Sequence, residues 1–212
     1  MTYRQPQQRR SQESLERILD AAEYLIRERG FDDMTVAEVV QRSESSVGSL
    51  YARFRNKRGL LQAVQARYHE RVEDAIGAAF DEARDECLVD AVQRVVGVLC
   101  NHLLNEPELF RAFVLEAVFD KRVLAQGERA NANRRKNLTE VLLAHRAEIK
   151  HPDPELAVGW FYTVCMAVLR ERVTFGEAAE LSGGYADETM VRELTRAVTN
   201  YLMCENPAPV KD

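Results

Sequence analysis

The sequence predicts an all-α protein: an N-terminal three-helix head built on a helix-turn-helix, followed by a longer helical body. Three observations carry that expectation. Ten glycines and six prolines in 212 residues leave few interruptions. Apolar residues recur at spacings of three and four over long stretches, and the strict alternation of a half-buried strand is missing. The run from Thr35 to Leu61, TVAEVVQRSESSVGSLYARFRNKRGLL, reads as two short helices around a tight turn, followed by the basic start of another helix. An apolar share of 46% and a charged share of 30% are those of a globular chain, long enough to bury a sizeable core.

Residues 1–10 are polar, with Arg4, Arg9 and Arg10 among glutamines, and are expected to form a flexible arm. In a DNA reader such an arm can reach a minor groove or phosphates. Leu15, Ile18, Leu19, Ala22, Leu25 and Ile26 then lie on one stripe of a helix that stops at Gly30. Thr35 can cap the next helix, with Glu38 three residues on to close a capping box, and Val36, Val39 and Val40 supply its apolar face. Ser46 caps a third helix that runs from Val47 to about Phe54. Its Leu50 and Phe54, four apart, point inward. Val47, Gly48, Ser49, Ala52 and Arg53 remain outward, and an arginine there can take guanine O6 and N7 together. Tyr51 offers a phenol at the groove wall, and Lys57 and Arg58 lie at the start of the following helix, a position that suits a phosphate.

From the plausible cap Asn56 a long helix carries Leu60, Leu61, Val64, Tyr68, Val72, Ile76 and Phe80 towards about Arg84. It is expected to link body and head mechanically. Body helices are expected over Leu88–Leu104, Glu108–Leu124, Gly127–Ile149, Pro154–Phe175 and Asp187–Cys204. Asn105-Glu106-Pro107 separates the first two. Asp153 is a cap with Pro154 at the first helical position, Gly183-Gly184 marks a loop, and Asn206-Pro207 ends the last helix. The segment Leu156–Leu169 is apolar on nearly all sides and must be covered all round.

Charge narrows the function. Between Arg42 and Arg58 five basic residues (Arg42, Arg53, Arg55, Lys57, Arg58) stand against Glu44 alone, while the whole chain carries −5. A basic patch on an acidic protein argues for one defined docking surface whose affinity falls with salt. No catalytic or phosphate-loop motif is present, and the four histidines are scattered, so an enzyme is not expected. Cys87, Cys100, Cys165 and Cys204 show no metal-ligand spacing and read as reduced residues of a cytoplasmic protein; no metal or cofactor is expected. MTYRQPQQRR lacks the apolar core of a signal peptide, and no apolar run is long enough to span a bilayer.

At the Thr35–Leu61 run the sequence resembles the TetR family of bacterial transcription regulators. Thr35 opens the pair, Ser46-x-Gly48-Ser49-Leu50-Tyr51 forms the recognition helix, Phe54 follows, and Lys57-x-x-Leu60-Leu61 begins the fourth helix. LERILDAAEYLIRERGFDDMT, with Ala21-Ala22 and Gly30-Phe31, is similar to the family's first helix. The resemblance is dense from about residue 11 to 70 and rests on layout beyond. The family usually places Gly and then an apolar residue in the turn, where this chain has Glu44 and Ser45. Glu44 is costly if the backbone there needs a positive φ.

The resemblance implies a regulator, most simply a repressor, that binds an inverted-repeat operator in double-stranded DNA as a homodimer and is released by a small hydrophobic effector of unknown identity. Thr35, Ser46, Tyr51 and Lys57 would hold phosphates, while Arg53, Ser49 and the Gly48 region, with Val47 beside it, would read bases. The last two long helices would pair with their copies, through Val191, Leu194, Val198, Tyr201 and Leu202. Candidate effector contacts are His102, Phe110, Phe113, Glu116, Trp160, Cys165, Met166 and Arg170, with Phe119 also aromatic on the same helix as Phe110. The implied division is an arm (1–10), a DNA-binding domain (11–58), a ligand-binding and dimerisation domain (59–205) and a tail (206–212). The competing reading is a helical binding or scaffold protein with a degenerate head, for which Glu44 and Ser45 are the support.

Overall fold

The computed structural model describes residues 5–176 and 184–205, all helix and connecting turn among them. Nine helices lie in the described residues: α1 (Gln5–Asp33), α2 (Val36–Arg42), α3 (Val47–Tyr51), α4 (Lys57–Ala83), α5 (Leu88–Leu104), α6 (Pro107–Glu116), α7 (Lys121–Ala144), α8 (Pro154–Phe175) and α9 (Asp187–Leu202). The chain divides into two compact units. Unit 1 comprises the residues up to His69 with Glu106–Gly127, and unit 2 comprises Glu70–Asn105 with the residues from Glu128 onward.

In unit 1 the expected stripe of α1 is the core, with Ile18, Ala22 and Ile26 fully buried. The helix is broken at Gly30, whose φ of 84° and ψ of 169° only glycine adopts cheaply. Beyond the break Phe31 and Met34 turn inward. Val39 of α2, Leu50 of α3, and Leu60, Leu61 and Val64 of α4 complete the apolar core, and α6 packs along α1. Tyr68 is buried with its ring centroid 5.3 Å from that of Phe113. A polar seam joins α4 to the α6–α7 corner. Arg58 Nε donates to Glu116 Oε2 at 2.7 Å, Gln62 Nε2 to Asp120 Oδ2 at 2.9 Å, and Gln65 Nε2 to the Val123 carbonyl at 3.2 Å.

The expected bounds of α5 and α8 are met at both ends. At α8, Asp153 Oδ1 accepts the Leu156 N–H at 2.9 Å with Pro154 in the first turn. The α6–α7 boundary differs from expectation. The break falls at 117–120, before Gly127, because Asp120 Oδ1 accepts the N–H groups of Arg122 and Val123 at 2.8 and 3.4 Å and caps a helix that runs straight through the glycine. Of the expected arm, residues 1–4 lie outside the described residues, whereas 5–10 belong to α1, where Arg9 pairs with Glu13 at 2.9 Å. The expected tail over 206–212 also lies outside the described residues.

In unit 2, α5 packs against α8 and α9, and α8 against α9. Leu194, Val198 and Leu202 of α9 are buried there, as are Val92, Val95, Val96 and Leu99 of α5. The apolar stripe proposed for pairing two copies is therefore largely spent within the chain; Val191 and Tyr201 are half-buried, and the Tyr201 ring lies 4.9 Å from that of His151. α8 is covered on one side only. Phe161, Cys165 and Leu169 are buried, but Leu156 and Trp160 are 58% and 52% exposed, with Thr163, Ala167 and Arg170 open along the same face.

Candidate nucleic-acid interface

The two short helices are held by their caps before they are held by packing. Thr35 Oγ1 accepts the Glu38 N–H at 3.3 Å and Glu38 Oε2 accepts the Thr35 N–H at 3.0 Å, the reciprocal box expected at α2. The Glu38 carboxylate also receives the Thr35 hydroxyl and Arg29 at 2.6 Å, and the Thr35 hydroxyl first and Arg29 second hold its pKa below the usual range. Ser46 Oγ accepts the Ser49 N–H at 3.0 Å and starts α3. Asn56 Oδ1 accepts the Gly59 N–H at 2.9 Å at the head of α4.

Between α2 and α3 the chain turns through a left-handed residue. Glu44 has φ +51°, its N–H donates to the Gln41 carbonyl at 3.3 Å, and the Ser45 N–H donates to the Val40 carbonyl at 3.2 Å. That pair of bonds is a Schellman closure with glutamate where glycine is cheapest. The apolar contact that usually accompanies it is replaced by hydroxyls, since Ser43 Oγ donates to Ser45 Oγ at 2.8 Å. Arg17 of α1 donates to the Ser43 carbonyl at 3.2 Å and ties the turn down. The unusual residues at 44 and 45 thus leave a helix-turn-helix of ordinary geometry.

The turn leaves α3 with one buried and one open side. Leu50 is fully buried and Phe54 nearly so, while Val47 and Tyr51 are 54% and 51% exposed, with Ser46, Gly48 and Ala52 also open. Thr35 lies exposed at the start of α2. Arg53 and Ser49 are half-buried and bonded to each other: Arg53 Nη1 donates to the Ser49 hydroxyl at 2.8 Å and carbonyl at 3.1 Å. Arg53 Nη2 donates to Ser11 Oγ at 2.9 Å and to the Ser11 carbonyl at 3.0 Å. The guanidinium expected to read guanine is committed to joining α3 and α1. Lys57 Nζ donates to the Asp32 carbonyl at 3.0 Å and lies 4.4 Å from the centre of the Phe31 ring, and partial burial lowers its pKa against the opposing pull of Asp32. Arg42 covers the Tyr24 ring at 3.3 Å, and Arg55 is exposed.

The effector candidates are divided between the two units. Phe110, Phe113 and Glu116 belong to unit 1, where the first two are core and Glu116 holds Arg58; Phe119 is exposed there. His102, Trp160, Cys165, Met166 and Arg170 belong to unit 2. Of these Cys165 and Met166 face inward on α8, whereas Trp160 and Arg170 are on its open side. Burial pushes the Cys165 and Cys100 thiols up to about 12. Sequence reasoning missed a polar group inside unit 2. Arg134 is buried 3.8 Å from Glu73, whose pKa burial raises, and Tyr162 Oη donates to Asn131 Oδ1 at 2.6 Å. Arg134 shares a stripe with the buried Ala130, Leu138 and Val141, so helical phase identifies it although the run Arg134-Arg135-Lys136 reads as a solvated face. Among the described residues no group of three or more His, Cys, Asp or Glu is placed to hold a metal, and no helix is long and apolar enough to cross a membrane.

The family model for the N-terminal region of bacterial regulatory proteins of the tetR family matches residues 18–64. No curated protein matches the chain. Solved structures do along nearly its whole length. A protein of Mesorhizobium loti described as a TetR-family transcriptional regulator superposes with a TM-score of 0.71 at 19% identity, over 91% of this chain and 96% of its own. GusR of Salmonella enterica gives 0.66 at 19%, over 90% and 96%. FadR of Bacillus halodurans, a fatty acid degradation regulator, gives 0.64 at 15%, over 87% and 94%. With its caps, turn and open third helix in that matched segment, the chain carries the helix-turn-helix domain of the TetR family of bacterial regulatory proteins, on a fold shared with regulators of that family.

Proposed function

We propose that this chain is a cytoplasmic, ligand-responsive transcriptional repressor that binds an inverted-repeat operator as a homodimer. The observation that carries the reading is the open side of α3, flanked in the chain by Arg42, Arg55, Lys57 and Arg58. A rod so exposed beside cationic groups suits a major groove between phosphate ridges. Tyr51 and Lys57 serve the phosphates, with the Thr35 and Ser46 edges beside them, and α3 faces the bases. Two copies place two such rods about 34–36 Å apart, one helical turn of the duplex or a multiple of it.

The open stripe of α8, Leu156 and Trp160 with Thr163 and Ala167, supports pairing through that face, which an isolated chain would leave wet. The interior of unit 2 is largely apolar but buries Arg134, His145, His151 and Arg172, with the Tyr162 hydroxyl on Asn131; that mixture supports a mostly hydrophobic effector with a polar anchor. Such an effector releases DNA only by binding tighter to a state whose two heads do not match the grooves.

The test is duplex binding by fluorescence anisotropy as salt is raised, using operators selected from random DNA. Binding should fall log-linearly with salt. Lys57→Ala should weaken every sequence alike and flatten the slope by about 1. A protein that enriches no sequence contradicts the reading.

A further inference from the structure

The side chains of α3 divide by what they already do. Ser46 Oγ is used as the cap, Ser49 Oγ accepts from Arg53, the rest of that guanidinium reaches Ser11, and Leu50 is buried. What faces outward is the isopropyl group of Val47, the bare backbone of Gly48, the ring of Tyr51 and the methyl of Ala52. At about 100° per residue these four occupy about 140° of the helix circumference, one continuous face. Its centre carries little hydrogen-bonding capacity beyond the Tyr51 hydroxyl. Such a surface cannot read the donor and acceptor pattern of base edges. It can read the one apolar feature the major groove displays, the C5 methyl of thymine.

Gly48 gives a second, independent indication. A Cβ built there meets nothing nearer than Ser46 Oγ at 4.0 Å, and the residue is not among the glycines of positive φ. Neither packing nor backbone conformation of the chain itself requires glycine, and in a helix alanine is the better residue. The absent side chain instead leaves room for a second body to approach the middle of the face.

We propose that this chain distinguishes its operator through thymine methyl groups, which seat against Val47 and Ala52 across the Gly48 gap, while Arg53 is a positioning residue that ties α3 to α1. The inference rests on the DNA-binding reading above. Duplex DNA is the occupant because the apolar face is flanked in the sequence by Arg42, Arg55, Lys57 and Arg58, with Arg55 exposed, in an otherwise acidic chain, a charge pattern that phosphate ridges complement.

The experiment uses the full chain and an operator it selects from random duplexes. Each thymine is then replaced by deoxyuridine, which removes the methyl and nothing else. At one or more thymines of each half-site the replacement should weaken binding about fourfold, the worth of one buried methyl. Val47→Ala should abolish the sensitivity at one such position. Gly48→Ala should melt no lower than the parent yet bind roughly tenfold more weakly, a loss of the size of one mismatched base pair. Arg53→Ala should weaken all sequences and leave the order of base preferences intact. Uniform tolerance of deoxyuridine within about twofold, or loss of preference for a single guanine in Arg53→Ala, would overturn the inference. If no sequence is enriched, the DNA-binding reading has itself failed and this falls with it; enrichment with indifference to the methyl sinks this inference alone.

Discussion

Glu44 holds a left-handed conformation that costs an L-residue about 1–2 kcal/mol, part of which the extra backbone freedom of an unfolded glycine would offset. Glu44→Gly should accordingly stabilise the chain by about 0.5–1 kcal/mol, read as a higher urea midpoint at constant slope. Glu38 argues in the other direction on acidification. Its pKa is depressed by the Thr35 hydroxyl and then Arg29, so its contribution is present above the unfolded value of 4.5 and disappears as pH falls through the lower folded value. Urea midpoints between pH 6 and 3 should therefore fall less steeply in Glu38→Gln. The thiols offer a third check. Cys100 and Cys165, buried and pushed up to about 12, should resist a thiol reagent until the chain unfolds, while exposed Cys87 reacts at once. What was legible at this scale were groups acting on near neighbours: Thr35, Ser46, Asn56 and Asp153 each cap within three residues. Arg53 was not, because its partner Ser11 lies 42 positions away.

Among elements, α3 is the extreme case. Five residues cannot form a stable helix by themselves, so its existence depends on the Ser46 cap and on Leu50 and Phe54 beneath it. Leu50→Ala should cost about 2–5 kcal/mol and take duplex binding with it, whereas the exposed Val47→Ala should leave the melting curve unchanged. Helix periods and stops located α5 and α8 to the residue. The α6–α7 corner escaped because two signals competed: Gly127 looks like a terminator, but a glycine inside a helix with an intact cap at Asp120 costs only about 1 kcal/mol.

At the scale of the whole molecule, Trp160 is the single tryptophan and lies half in water on the open face of α8. If copies pair there, its emission should shift to the blue as concentration rises. Trp160→Glu should give light-scattering mass near one chain, 24.2 kDa, without unfolding it. Pairing surfaces and pockets were the least legible parts, because periodicity says that a residue is apolar and on a given stripe but not which neighbour covers it. The α9 stripe illustrates this: read as a pairing face, it has Leu194, Val198 and Leu202 buried within the chain.

The gene cannot simply be cut after the fourth helix begins. The sequence-distant α6 lies along α1, its Phe113 ring meets Tyr68, and Glu106 pairs with Arg27. A transplanted fragment ending near residue 70 would carry α3 but bare the apolar flank α6 shields, and would clump when expressed; a portable head needs residues 106–127 stitched back on.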